Sequence, residues 1–264
     1  MNALPTIAFL LMLVSAAVQA PFLFRRDGHA DPVSHWALLA AFACLAAVTV
    51  ARSIAIGFPA LTGTFESLVF FSGIICLIAW GYRSQKRIAY LPLVQFGATI
   101  VAIAFLAIAS SPIAPKEALA PIPALRSLWL VLHVALAFVG ESFFVVSFVA
   151  SIAFLTTRDE AKKKDYDRVA YTSVAAGYPV FTAGALVFGA IWAEQAWGRW
   201  WSWDPKEIWA LVTWLVYTMY LHLRLTRRRK DALPSIVAVA GFLCALFTFF
   251  GVNFLLSGLH SYGR

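Results

Sequence analysis

The sequence is poor in charge and in cysteine. Only 13% of its 264 residues are charged, whereas 61% are hydrophobic. Soluble domains carry about 25% charge, so this chain lacks the polar residues needed to cover a water-soluble globule. Its three cysteines, Cys44, Cys76 and Cys244, have no paired spacing, which argues against a disulfide framework and a thiolate metal site. The composition therefore predicts an integral membrane protein.

Several functional motifs are also missing. The sequence contains no nucleophile triad, phosphate-binding glycine loop or paired-cysteine motif, and therefore gives no support to hydrolysis or ATP-driven transport. Its apolar runs are continuous and do not alternate as the strands of an outer-membrane barrel do. The net charge of +8 comes from short basic blocks between these runs, a pattern typical of membrane topology signals. We therefore expect the lipid bilayer, and no nucleic acid, as a partner.

Long apolar runs predict eight transmembrane helices, because about 20 apolar residues are needed to cross the hydrocarbon core. The predicted spans are about residues 3–23, 35–56, 65–82, 90–109, 127–155, 172–194, 208–224 and 234–256. The first run has no basic region before it, so we interpret it as a helix and not as a signal peptide. The expected fold class is an all-α integral membrane protein, a bundle of eight helices that forms a single polytopic domain over residues 1–264.

Basic residues predict the orientation of this bundle. Most of the Lys and Arg residues lie in the first, third, fifth and seventh connections, which share one side of the membrane if there are eight spans. By the positive-inside rule that side is cytoplasmic, and both termini are then on the periplasmic side of a bacterial cytoplasmic membrane. The same topology puts residues 195–207, between the sixth and seventh helices, on the periplasmic side.

The connection at residues 195–207, here called the Trp loop, is dense in tryptophan. It contains Trp197, Trp200, Trp201 and Trp203, followed by Asp204. One interpretation is an aromatic belt, in which indoles settle among the lipid headgroups. The other is a platform for a large planar ligand with acidic edges, because several flat apolar faces lie beside cations and carboxylates. Composition alone leaves both interpretations open.

Three histidines are candidate ligands of a porphyrin iron. His133, near the start of the fifth helix, and His260, after the eighth, lie on the predicted side of the Trp loop, where two imidazoles could fill both axial positions. His222 lies about 21 Å from the external end of the seventh helix, toward the cytoplasm. The ordinary alternative for each is a histidine bonded to a carbonyl or to water at an interface. We assign no role to His29 and His35.

Few other polar residues are expected inside the membrane. Arg52 either pairs with an anionic group of the ligand or forms a structural ion pair with Glu66. Glu141 follows His133 by eight residues, about 12 Å deeper in an ideal helix, and marks a candidate water-accessible cavity. Asn253 is a candidate hydrogen-bond partner of a ligand or of a neighbouring helix.

The Trp loop resembles the WWD signature of haem-handling proteins of cytochrome c biogenesis. The segments that carry the resemblance are residues 197–207 (WGRWWSWDPKE), 123–134 (PALRSLWLVLHV), 209–224 and 251–263, together with Arg52 and residues 65–67. As a set they resemble the CcsA (ResC) family of the system II pathway over roughly residues 50–264. Ile208 and Trp200 depart from the family's usual Thr and Tyr, but neither is a candidate iron ligand.

The resemblance implies a function and a set of ligands. With a CcsB (ResB) type membrane partner, such a protein carries haem b across the membrane and presents it at the Trp loop for thioether attachment to apocytochrome c. The resemblance implies that His133 and His260 are the external axial ligands, and that His222 is an inner-site ligand beside a histidine of the partner. The candidate cations for the haem propionates are Arg52, Arg126, Arg199 and Lys206.

Two other functions fit parts of the sequence. A haem exporter or delivery chaperone of the CcmC type has a similar Trp loop and no synthase activity, although the segment before His133 and the Pro-Lys-Glu run favour the CcsA family. A membrane scaffold or small-molecule transporter with an aromatic belt would bind no haem. We assign no catalytic residue, because the expected contribution of this chain to a haem lyase is positioning and not acid or base chemistry.

Overall fold

The computed structural model describes residues 3–23, 31–87 and 89–256. These residues form eight helices that are long and apolar enough to cross a membrane, so the predicted all-α class and the helix number are confirmed. The helices are α1 Ala3–Leu23, α2 Ser34–Ile56, α3 Thr64–Ser84, α4 Pro92–Ser110, α5 Leu128–Thr156, α6 Glu160–Trp197, α7 Pro205–Leu225 and α8 Ala232–Leu255.

Helix α6 departs most from the predicted spans, because it begins at Glu160 and not near residue 172. Asp159 caps its start: the carboxylate accepts hydrogen bonds from the backbone N–H groups of Ala161 and Lys162 at 3.0 and 3.2 Å. The charged side chains that follow include good helix formers, which a hydropathy pattern does not register. A polar helical extension of about 18 Å therefore precedes the apolar part of α6.

The chain divides into two compact units, Met1–Arg126 and Ser127–Arg264. In the first unit, α1 and α3 each pack against both α2 and α4. In the second unit, α5 packs against α6 and α8, and α7 packs against α8. The single domain over residues 1–264 stays a prediction, as does the side of the membrane on which the termini lie.

A buried ion pair joins α2 to α3 in the first unit. Arg52 forms it with Glu66, and its Nε donates to Glu66 Oε1 at 2.8 Å. The Nη atoms of Arg52 also donate to the carbonyl oxygens of Lys116 and Glu117, at 3.0 and 3.3 Å. The structure thus shows the ion pair that the sequence offered as one of two alternatives. A contact between Arg52 and a ligand stays a prediction.

Three glycines let the backbones of α5 and α6 come into contact in the second unit. A Cβ atom on Gly140 would lie 2.7 Å from the backbone nitrogen of Phe181, and one on Gly177 would lie 2.8 Å from the carbonyl oxygen of Gly140. A Cβ atom on Gly184 would collide with the backbone of Ala137. Any side chain at these positions would force the two helices apart, so their close approach depends on glycine.

Replacing Gly177 by valine should destabilise the second unit by about 1–3 kcal/mol, because the added methyl groups overfill the contact between α5 and α6. The measurement is the thermal unfolding midpoint of the detergent-solubilised protein. Gly81→Val in α3 is the matched control, because a Cβ atom at Gly81 would have no atom within 4 Å apart from the local backbone of its own helix. Equal midpoints for the two variants would contradict the role given to Gly177.

Candidate functional site

His133 lies on the second turn of α5, beside a π-helical turn of α6 at Thr182–Phe188. Its Nδ1 is 2.9 Å from the carbonyl oxygen of Gly184, which belongs to that turn. A carbonyl oxygen can only accept, so Nδ1 carries the proton and Nε2 carries the lone pair of the neutral imidazole. Bonds of this kind fix the tautomer of metal-ligating histidines. The ring therefore has the tautomer that ligation through Nε2 requires.

Two residues of α6 set the position of this imidazole. A Cβ atom on Gly189 would lie 2.9 Å from His133 Nδ1, so the glycine leaves the space that the ring occupies. Trp192 is buried, and its ring lies 6.3 Å from the imidazole at an interplanar angle of 12°. Trp197 stands edge-on to Trp192, with 5.9 Å between the ring centres. A row of rings therefore connects His133 to the Trp loop.

Two residues with positive φ shape the Trp loop. Gly198 ends α6 at a φ of 68°, which glycine adopts without steric cost, and its N–H donates to Glu194 O at 2.9 Å. Trp203 has a φ of 59°. The left-handed region costs a residue with a Cβ atom about 1–2 kcal/mol. Other contacts must therefore hold Trp203 in this conformation.

Glu207 supplies these contacts by binding the backbone on both sides of Trp203. Its Oε2 accepts hydrogen bonds from the N–H and hydroxyl groups of Ser202 at 2.8 and 3.0 Å, and from the N–H of Asp204 at 3.3 Å. Asp204 in turn caps α7 and accepts a hydrogen bond from the N–H of Lys206 at 3.1 Å. Asp204 and Glu207 thus form a capping box at the start of α7.

Sequence reasoning missed Glu207 as a site residue, although its signal was present. The run Asp-Pro-Lys-Glu has a glutamate three positions after a capping residue and a proline at the first helical position, which together predict a capping box. Gly184, Gly189 and Trp192 were missed for a different reason. Their roles depend on a π-helical turn and on the close approach of two helices, which leave no local pattern in the sequence.

The indoles of the Trp loop differ in exposure. Trp200 and Trp203 are 60% and 68% exposed, so each presents an open face. Trp201 is half-buried and stands edge-on to Trp203, with 6.0 Å between the ring centres. Trp201 Nε1 and Glu207 Oε1 are buried and have no hydrogen-bond partner among the described residues. A bound ligand would satisfy such groups, so the loop fits a ligand with both apolar faces and polar edges.

Lys206 is directed toward the helices of the second unit. Its Nζ lies 3.3 Å from Asn253 Oδ1 on α8 and 6.0 Å from the centre of the Phe249 ring. Asn253 therefore has a neighbouring helix as its partner, which is one of the two alternatives that the sequence left open. Arg199, in contrast, is exposed within the Trp loop.

The remaining candidates are spread over the chain. His222 is exposed on α7, about 25 Å from the first residue of that helix, and lies at the opposite end of the second unit from His133. Arg126 is exposed at the end of the first unit. His29 and His260 lie outside the described residues. The structure thus brings His133 and the Trp loop to one end of a helical unit and places His222 at the other.

These features define a class: a multi-pass membrane protein in which an imidazole and a set of open indole faces share one end of a helical unit. Residues 63–260 match the family described as Cytochrome C assembly protein. Several relatives have the name cytochrome c biogenesis protein CcsA, and three of them show the range of similarity. A relative from a strain of Prochlorococcus marinus is 32% identical over 98% of this chain and 92% of its own length. The relative from Guillardia theta is 29% identical over 97% of this chain and 94% of its own length. The relative from Chlamydomonas reinhardtii is 42% identical over 58% of this chain and 46% of its own length.

The chain therefore belongs to the cytochrome c assembly protein family, and its predicted membership of the CcsA family is confirmed. Its general role is in cytochrome c biogenesis. The relatives come from organisms as different as Prochlorococcus and Chlamydomonas, so membership does not identify the membrane in which the chain resides. The bacterial cytoplasmic membrane stays a prediction.

Replacing Glu207 by alanine should release the backbone on both sides of Trp203. Loss of the hydrogen bonds to Ser202 and Asp204 should destabilise the loop locally by about 1–3 kcal/mol. The measurement is hydrogen exchange of peptides that cover residues 198–207, which should become faster. Glu194→Ala is the control, because Glu194 lies in the last turn of α6 and is not part of the hydrogen bonds that join Glu207 to Ser202 and Asp204. Unchanged hydrogen exchange of these peptides in Glu207→Ala would contradict the role given to Glu207.

Proposed function

We propose that this protein is the haem-handling subunit of a system II cytochrome c synthase and holds haem b at the Trp loop for attachment to apocytochrome c. The observation that carries the proposal is the hydrogen bond from His133 Nδ1 to Gly184 O, which fixes the tautomer in which Nε2 is the nitrogen able to bind iron. Membership of the cytochrome c assembly protein family supports a role in cytochrome c biogenesis. Haem is the substrate of this process and not a resident cofactor.

The residues at this end of the second unit suit a porphyrin. The open faces of Trp200 and Trp203 offer planar apolar surface on which a porphyrin ring can stack. His133 supplies one axial ligand, and the resemblance to the CcsA family suggests His260 as the other. Ligation by two imidazoles also keeps the iron from unwanted oxygen chemistry until a histidine of the apocytochrome displaces one of them.

Propionate binding requires an accessible cation. Arg199 and Arg126 are exposed, whereas Arg52 is paired with Glu66 and Lys206 is bonded to Asn253. Among the four candidate cations we therefore favour Arg199, which lies within the Trp loop itself. Its guanidinium can bind a carboxylate through two parallel hydrogen bonds.

The reaction adds two cysteine thiols of a CXXCH motif across the two vinyl groups of haem. At each vinyl group the S–H bond breaks, sulfur bonds to one vinyl carbon and the proton ends on the other, so no atom is lost. The chain contributes by holding the haem in place, since proximity and orientation can account for about 7–11 kcal/mol of a barrier. No proton transfer by a side chain of this protein is required.

Transport of haem precedes its presentation at the Trp loop. His222 is exposed on α7, at the end of the second unit opposite to His133. An exposed histidine on a transmembrane helix is suited to a ligand that is shared with another protein. We propose that His222 binds haem at an inner site together with a histidine of a CcsB (ResB) type partner, before the haem moves to the Trp loop.

Replacing His133 by glycine should abolish covalent haem attachment to a CXXCH reporter when the variant is co-expressed with a CcsB-type partner. Added imidazole should restore part of this attachment, because it can occupy the vacant axial position. His35→Gly in the first unit is the control and should retain attachment. Attachment at the parental level in His133→Gly, without imidazole, would refute the ligand assignment. Haem binding without attachment by the parent would instead favour the delivery chaperone.

Replacing Trp203 by alanine should weaken haemin binding by about 1–3 kcal/mol, the usual contribution of a stacked aromatic side chain to a planar ligand. The measurement is a haemin titration of the purified protein, followed at the Soret band. Trp36→Ala is a matched control, because Trp36 is 63% exposed and Trp203 is 68% exposed. Equal haemin affinities in the two variants would favour the aromatic-belt interpretation of the Trp loop.

A further inference from the structure

A group of exposed cations lies at the end of the second unit that is opposite to His133, and the proposed chemistry uses none of them. Two segments contribute to it, the polar start of α6 and the connection between α7 and α8 at residues 226–231. These exposed cations, here called the basic surface, are Lys164, Arg168, Arg227, Arg228 and Lys230. Within the described part of the chain, no ion pair joins any of them to a carboxylate.

An ion pair joins the two segments that carry the basic surface. Both Nη atoms of Arg224, at the end of α7, donate to the Asp167 carboxylate on α6, at 2.6 and 2.9 Å. The two side chains are only 6% and 12% exposed, so salt screens this pair weakly. The Arg224 guanidinium also lies 5.1 Å from the centre of the Tyr171 ring on α6. The end of α7 is thus fixed against the polar start of α6.

The connection between α7 and α8 is held by the same arginine. Arg224 Nη1 donates to Arg229 O at 2.8 Å, and the N–H of Arg229 donates to Leu223 O at 3.0 Å. Arg229 Nε in turn donates to Asp231 Oδ2 at 3.0 Å, and Asp231 caps the start of α8. Between these fixed points Arg228 has a φ of 51°, which costs a residue with a Cβ atom about 1–2 kcal/mol. Strained residues of this kind cluster at functional sites.

The acidic residues of these segments leave the basic surface positively charged. Asp167 and Asp231 are each paired with an arginine. Glu160 is paired with Lys163. Asp165 lies about 160° around α6 from Asp167, because successive residues of a helix are about 100° apart. The paired acids therefore neutralise other cations and not those of the basic surface.

The basic surface lies at the depth of lipid headgroups. Residues 226–231 connect two membrane helices directly, and Leu225, the last residue of α7, is 60% exposed beside them. Lys164 and Arg168 share one face of α6 and precede its predicted apolar span by about 12 and 6 Å. Cations next to an exposed apolar side chain match a phospholipid, which has a phosphate above its acyl chains. Clusters of four to eight cations at the end of a membrane helix are typical of such sites.

We propose that the basic surface binds the headgroups of anionic phospholipids, and that the ion pair of Arg224 with Asp167 assembles its two segments into one site. Arginine and lysine bind phosphate through charge-assisted hydrogen bonds. The positive-inside rule accounts for cations in a connection, but it does not require them to be fixed in place. The inference goes beyond the proposed function, because it does not involve haem.

The test is a titration of the detergent-solubilised protein with phosphatidylglycerol, followed by native mass spectrometry, with phosphatidylcholine as the reference lipid. The parent should bind phosphatidylglycerol more tightly than phosphatidylcholine. Replacing both Arg227 and Arg228 by Gln should weaken phosphatidylglycerol binding about 25-fold, at about fivefold for each cation, and should leave phosphatidylcholine binding unchanged. Equal affinity for the two lipids in the parent would overturn the proposal, and co-purification of an acidic protein would then favour a protein partner.

Lys86→Gln combined with Arg87→Gln is the matched control. It also removes two adjacent exposed cations, from the connection between α3 and α4 in the first unit. Phosphatidylglycerol binding should stay within about twofold of the parent in this control. An equal loss in the two double variants would show that any cation near a helix end attracts the lipid, and would overturn the proposed site.

Asp167→Asn separates an assembled site from simple charge attraction. The substitution raises the net charge by one, so charge alone predicts tighter binding of phosphatidylglycerol. An assembled site predicts binding about tenfold weaker, with faster hydrogen exchange in peptides covering residues 224–231, because Arg224 loses its anchor on α6. Tighter or unchanged binding would refute the role of the ion pair. If this variant does not accumulate, the two double variants decide between site and general attraction.

A haemin titration of the parent distinguishes this inference from the proposed function. If the parent prefers phosphatidylglycerol but takes up no haemin, the lipid site stands and the haem platform fails. If haemin binds and the two lipids bind alike, the haem platform stands and the lipid site fails.

Discussion

The contact between the backbones of α5 and α6 is the constraint on which the candidate site depends. Lipid tails are as apolar as leucine, so helices in a bilayer gain little from burying apolar side chains against each other and rely on close packing. Gly140, Gly177 and Gly184 provide this packing, because a Cβ atom on any of them would meet the other helix. The same approach brings Gly184 O to 2.9 Å from His133 Nδ1. The tautomer of the histidine is therefore a consequence of how two helices pack.

Polar contacts, in contrast, determine the conformation of the Trp loop. Trp203 has a φ of 59°, and the carboxylate of Glu207 binds the residues on either side of it. Such bonds are stronger where water is excluded, because the effective dielectric constant is lower there. The loop can thus keep two indoles largely exposed without being free to collapse onto the helices. Apolar packing places the imidazole, and charge-assisted hydrogen bonds place the indoles.

The sequence predicted the features that depend on composition and on position along the chain. Hydropathy predicted the eight spans. Because successive connections lie on alternate sides of the membrane, these spans also predicted that His133 and the Trp loop share one side. Hydropathy did not register the charged start of α6 at Glu160, because it measures partition into lipid and not helix propensity. The glycine contacts between α5 and α6 depend on residues far apart in sequence. Such pairs become visible only once the helices are packed.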